Sequence, residues 1–165
     1  MTTKTHLTHS STDPVTAYAE AVIAGEIVAG PHVRDACKRH MLDLARDDVT
    51  FDAAAAERFF DFCRKILRLG EGQFDGKPLE LDPSQKFIAG SLFGWKLPNG
   101  KRRYRRAYVE QGKGNGKSPL AGAIGIYGMI ADGEAGAQIY AAGATKEQAG
   151  ILFRDAVGMV HKAPA

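Results

Sequence analysis

The chain has 165 residues, 44% of them hydrophobic and 25% charged, which excludes fibrous and wholly disordered classes and suits about one domain. Lys and Arg number 22 against 19 Asp and Glu, and a net charge of +3 diagnoses no nucleic-acid partner by itself. No run approaches the roughly 18–20 consecutive apolar residues of a membrane helix, and Met1–Asp13 is polar and not an apolar signal segment, so the sequence reads as cytosolic with no membrane partner.

Residues 1–13 carry only Leu7 as a large apolar side chain after Met1 and read as a flexible tail, in which the spacing of His6 and His9 says little about a metal. Asp13-Pro14 supplies an N-cap and a first-position proline for a helix holding Ala17, Val22 and Ile23 and running to about Ala29. Gly30-Pro31 ends it and starts another. From Pro31 to Asp47, Val33, Cys37, Met41 and Leu44 share one helical face; a third helix from Asp52 to Leu69 carries Phe59, Phe62, Cys63, Ile66 and Leu69. His32, Asp35, His40 and Asp43 read as a solvated face. Cys37 and Cys63, 26 positions apart with no CxxC and no nearby His pair, read as reduced thiols in a helical core. The loop Gly70–Gly76 closes this N-terminal helical region, residues 14–76.

Residues 77–165 differ in texture, since ten of the 19 glycines fall between Gly112 and Gly150. Asp82-Pro83 starts a short helix through Phe93. Leu97-Pro98-Asn99-Gly100 supplies a turn between Trp95-Lys96 and Lys101–Arg106, predicting a β-hairpin with a basic return strand. Five positive charges in six residues around Tyr104 can meet phosphates and stack a base; they equally serve to protect an edge strand.

Ala107, Tyr108 and Val109 favour a strand. A glycine-rich loop follows, ending Gly116-Lys117-Ser118, and then a helical run: the order that a phosphate-binding loop requires. Gly112, Gly114 and Gly116 let successive N–H groups turn inward, and the helix head adds its dipole. Lys117 would bring a point charge to the β- and γ-phosphates, Ser118 a hydroxyl to Mg²⁺, and Pro119 is tolerated in the first turn. The usual pattern wants glycine where Gln111 stands, so a flexible glycine hairpin is the alternative, one that leaves Lys117-Ser118 at a helix start unexplained. Gly122, Gly125 and Gly128 predict close packing of this helix on a sheet, beside a stripe of Leu120, Ile124, Tyr127 and Ala131. After the loop Asp132–Gly136, Ala137–Ala142 reads as a second strand. Thr145 caps a last helix, Lys146–His161, with Ala149, Leu152, Phe153, Ala156, Val157 and Val160 inward. The βαβα order predicts an α/β fold with a parallel sheet.

With Asn115–Ser118, Asp132–Glu134 and Thr145–Ala149 in this order, the chain from about Pro14 to Val160 resembles the N-terminal part of a tailed-bacteriophage terminase large subunit. That family is the ATP-driven motor that packages double-stranded phage DNA into proheads. The resemblance implies a P-loop NTPase-like partial parallel sheet with flanking helices over residues 77–165, an ATP- and Mg²⁺-binding loop of Gly112, Lys113, Gly114, Asn115, Gly116, Lys117 and Ser118, and Mg²⁺ held by Ser118. It implies that Gln85 reads adenine, although Gln85 also fits a local capping box with Asp82. Lys113 stands where the family usually has an arginine acting on the transferring phosphate; it keeps the charge and loses the bidentate fork. The terminase small subunit, the portal protein and a homo-oligomeric ring are the implied partners, and the host cytoplasm the implied location. No acidic residue at the end of a later apolar strand follows the last helix, and the family's nuclease is missing, so the sequence reads as a truncated or interrupted form or a fragment. The alternatives are a stand-alone nucleic-acid-binding module working through residues 101–106, or another P-loop NTPase, which would want glycine at position 111 and an arginine-bearing lid.

Overall fold

The computed structural model describes residues 13–70 and 72–164; apart from Asp13, the segment expected as a tail, with His6 and His9, lies outside them. The Asp13 carboxylate accepts from the N–H groups of Val15 (2.9 Å) and Thr16 (3.0 Å) and starts α1, Pro14–Ala24. This helix stops before the expected Ala29, because Gly25 at φ +82° turns the backbone and its N–H closes on the carbonyls of Ala21 and Val22. Helix α2, Pro31–Asp43, also ends early: the N–H groups of Ala45 and Arg46 fold back on Leu42 and Asp43, and Arg46 then grips both carboxylate oxygens of Asp48. Strand β1 (Thr50–Phe51) and the Asp52 cap lead into α3, Ala53–Lys65. Here the expected run to Leu69 fails for a different reason. Residues 67–69 leave the helix to pair with 77–79, through Leu69 N–H to Lys77 O (2.9 Å) and Leu79 N–H to Leu67 O (3.3 Å), closing the loop that holds a 3₁₀ turn at Gly72–Phe74.

Helix α4, Pro83–Gly94, starts where the sequence places it, on Asp82 with a full capping box. It runs into β2 (Trp95–Lys96), which pairs antiparallel with β1, Phe51 opposite Trp95. The turn Leu97–Gly100 forms, with Gly100 N–H on Leu97 O at 2.9 Å, but the basic return strand does not, leaving one bridge between Lys96 and Arg102. Helices α5 (Lys117–Ile130) and α6 (Lys146–His161) complete the order.

The expected parallel sheet is therefore corrected: among the described residues the sheet is β1 with β2, antiparallel. Ala107–Val109 and Ala137–Ala142 form no strand. Parallel strands are stable when neighbours and both faces cover them, and here Tyr108 and Tyr140 are more than four-fifths exposed. Gly125 and Gly128 face Ile139 of that unpaired segment, while Gly122 faces Ala156 of α6. Helix α6 packs on α5, with Ala156 against Gly122, Met159 buried and Leu152 half-buried; Phe153, Val157 and Val160, expected inward, are exposed. No described helix is long and apolar enough to cross a membrane.

Both thiols are free and buried, and burial pushes them up, Cys37 to about 11 and Cys63 to about 12. The expected solvated face of α2 is half overturned: His32 and Asp35 are exposed, but His40 and Asp43 are buried. Trp95 Nε1 can only donate, and it donates to His40 Nδ1 at 3.2 Å. His40 therefore carries its proton on Nε2 and gives it to Thr16 Oγ1 (3.0 Å), whose hydroxyl donates to Asp13 Oδ2 (2.6 Å). This chain ties α1, α2 and β2 together. Asp43 meets Arg103 at 2.6 Å as an ion pair and not a hydrogen bond, with Arg103 lying over Trp95.

Burial lowers the pKa of His40, against the opposing pull of Asp13 and Asp43. A proton on Nδ1 would remove the acceptor that Trp95 uses. The unfolded chain takes up that proton first, near its ordinary value of about 6.5, so this contribution is complete above that pH and is lost as pH falls below it toward the lowered folded value. Urea unfolding followed by Trp95 emission should show stability declining between pH 7 and 5, by at most about 1.4 kcal/mol per pH unit from this group. His40→Gln should remove that slope.

Candidate functional site

The heads of α4 and α5 meet at the glycine-rich loop. Gly116 is the N-cap of α5 at φ +68°, a left-handed conformation that places the N–H groups of Lys117 and Ser118 at the head of the helix without intrahelical partners. Pro119 contributes no N–H, and the first intrahelical bond closes from Leu120 to Gly116 O at 3.1 Å. Lys117 turns back over the loop: its Nζ donates to the carbonyls of Gln111 (2.5 Å) and Gly112 (2.8 Å). The ammonium thus closes residues 111–117 into a ring at the positive end of a 14-residue helix.

Gln85 comes to this loop from the first turn of α4 and is buried. Of its two expected roles, the capping box is formed. Oε1 accepts from Asp82 N–H at 3.1 Å and completes the capping box, while Nε2 reaches Asn115 O at 3.4 Å. The amide packs so close that a Cβ at position 116 would stand 2.8 Å from Nε2.

A cleft of about 980 Å³ opens over this junction. Gln85, Gln111, Lys113, Gly114, Asn115, Gly116, Lys117 and Ser118 line it, so seven of the eight expected positions lie on one wall with Gln111 beside them. Gly112 stands next to them in the loop. Lys113 is exposed, with no ion pair among the described residues to hold it elsewhere. Leu69, Phe74 and Leu79 form an apolar wall from the 66–81 segment, and Ile151 and Asp155 of α6 border the rim. Sequence reasoning missed this second wall. Its one signal was Phe74, a large aromatic in the otherwise polar loop Gly70–Gly76.

A cationic ring with free N–H groups at a helix head is suited to phosphate oxygens, and the apolar side chains that line the same cleft, beside Glu80 and Asp82, are suited to a flat ring system. An ammonium, unpaired helix-head N–H groups and apolar side chains thus share one cleft. Residues 83–165, about half the chain, match the family described as terminase large subunit, ATPase domain, and the chain belongs to that family. Neither the curated proteins nor the solved structures give a match.

The crowding at position 116 gives a direct check. Gly116→Ala introduces both the left-handed strain, about 1–2 kcal/mol, and the clash with Gln85. Chemical denaturation should show a loss of at least that size, and Gly112→Ala, whose added Cβ meets Asn115 Nδ2 at an ordinary 3.5 Å, should cost less.

Proposed function

We propose that the loop 111–118 binds the phosphates of ATP together with Mg²⁺, and that the chain is the ATP-binding part of a motor that packages double-stranded phage DNA into proheads. The observation that carries this reading is Lys117 held across the loop carbonyls at the head of α5, within the stretch that matches a terminase ATPase domain. Nucleotide phosphates would draw Lys117 Nζ from Gln111 O and Gly112 O, exchanging two neutral acceptors for charged ones. The N–H groups of Lys117 and Ser118 would receive the same phosphates, and Lys113 would add a second positive charge from the exposed side of the loop. Ser118, the first hydroxyl after the lysine, is the proposed Mg²⁺ ligand. Mg²⁺ there would neutralise charge on the β- and γ-oxygens. Contacts with a small subunit and portal, and assembly into a ring, follow as part of the same proposal.

Gln85 is the proposed adenine contact. Its bond to Asn115 is long at 3.4 Å, while its bond to the Asp82 N–H is part of the helix cap. Base recognition would thus use the Nε2 donor and leave Oε1 on the cap. The nucleobase would lie toward Phe74 and Leu79, which line the same cleft.

Two variants test the reading with a fluorescent ATP analogue and its guanine counterpart. Lys117→Ala should weaken both by roughly ten- to hundredfold, the worth of a charged hydrogen bond of about 1.5–3 kcal/mol; unchanged affinity would end the phosphate-loop assignment. Gln85→Glu keeps an acceptor for Asp82 N–H and removes the donor. It should erase a preference for adenine over guanine, and a preference that persists would confine Gln85 to the cap and the loop.

A further inference from the structure

The basic run 101–106 divides into two groups that the sequence does not distinguish. Arg102 and Arg103 are committed within the molecule: Arg102 pairs with Asp132 at 3.3 Å and lies over the Phe93 ring, and Arg103 pairs with buried Asp43 and lies over Trp95. Lys101, Arg105 and Arg106 are exposed, and with Lys96 they make no ion pair among the described residues. All four line one open cleft of about 660 Å³, together with Arg102, so that five cations face two carboxylates, Asp132 and Glu134.

We infer that this cleft receives the phosphate backbone of duplex DNA through Lys96, Lys101, Arg105 and Arg106, at a site separate from the glycine loop. It rests on the proposed packaging role for the choice of DNA as the polyanion; the residues and their partition come from the geometry. The cleft lies at the C-terminal ends of α4 and α5, and the loop at their N-terminal ends. Along the 14 residues of α5 the separation is about 20 Å, beyond the roughly 10 Å screening length at 0.1 M salt. Charge at one site is therefore not a substitute for charge at the other.

Backbone recognition is favoured over stacking of unpaired bases for a specific reason. Tyr104, the aromatic in the run, has the guanidinium groups of Arg39 and Arg103 over its ring, at 5.9 and 5.2 Å from its centroid. A ring already engaged by two guanidinium groups is a poor platform for the stacked bases of a single strand. What the cleft offers is charge, two of it as guanidinium forks suited to phosphate. Asp132 meanwhile competes with any incoming phosphate for Arg102.

The test is fluorescence anisotropy with a labelled 20-base-pair duplex, the full chain and a salt series. Four phosphate contacts predict a log–log salt slope near −3.6, or about a hundredfold loss between 50 and 200 mM. The double variant Arg105→Ala/Arg106→Ala should reduce the magnitude of the slope by about two, and Asp132→Asn, by releasing Arg102, should tighten binding and steepen the slope by about one. An unchanged slope in the double variant, tighter binding of the single strand of equal length, or displacement of the duplex by polyglutamate at equal charge concentration would each overturn the assignment. Lys117→Ala separates the two sites. Duplex binding that survives in it and still depends on Arg105 and Arg106 supports the cleft whatever becomes of the nucleotide reading; nucleotide binding that depends on Lys117 beside duplex binding indifferent to both arginines overturns the cleft alone.

Discussion

Phe59 of α3, Phe93 of α4 and Tyr127 of α5 meet in one aromatic knot, and the placement of everything else of interest follows from it. Phe59 and Phe93 stack at 4.7 Å between centroids, and Tyr127 presents its edge to both, at 5.2 and 4.9 Å, with Phe62 alongside at 5.3 Å. Phe59 and Phe93 are almost wholly buried and Tyr127 nearly so. Rings of this size carry much of a core's apolar area, and their edge-to-face geometry fixes direction as well as contact. The knot holds the last turns of α4 and α5 together. Their first turns then come together at the other end, where Gln85 and Gly116 touch.

That gives α4 and α5 two distinct ends. At their heads stand the capping box, the glycine ring and the Lys117 ammonium. At their tails stand Phe93 beneath Arg102 and Asp132 beside it, bordering the cationic cleft. The His40 chain secures the remaining side: Trp95, first residue after α4, is hydrogen-bonded through His40 and Thr16 to the cap of α1. Burial raises the pKa of Tyr127, consistent with a phenol held inside the knot. Helix α6 is fastened separately, by packing on α5 and by Lys162, which pairs with Asp75 and donates to Gly70 O at 3.0 Å.

What the sequence made legible was local chemistry. Asp13, Asp82 and Thr145 were readable as caps because a short acceptor before a helical run has one local use. The glycine loop and its lysine were readable because spacing and order are themselves the signal. His40 and Asp43 were misread because polar residues on a helix are usually solvated; Trp95, Thr16 and Arg103, distant in sequence, together with Arg46 three residues past Asp43, make their burial tolerable. The strands at 107–109 and 137–142 were misread because β-propensity is a capacity to fit a sheet and not a sheet. In α6, two apolar stripes compete, and the one ending in Met159 won because small side chains and glycines, Ala156 against Gly122 and Gly158 against Gly70, allow close approach there. The split of the basic run into committed and free arginines needed coordinates, since it depends on where Asp43 and Asp132 lie.

The central claim is that the ring closed by Lys117 is the nucleotide site, and a titration of the ¹⁵N-labelled chain with Mg²⁺ and a non-hydrolysable ATP analogue addresses it most directly. The account predicts that the amides of Gly112 to Ser118 and the side-chain amide of Gln85 shift together and saturate with one affinity, while those of Lys101 to Arg106 remain in place. Saturable shifts confined to residues 101–106, with the loop amides unmoved, would contradict it.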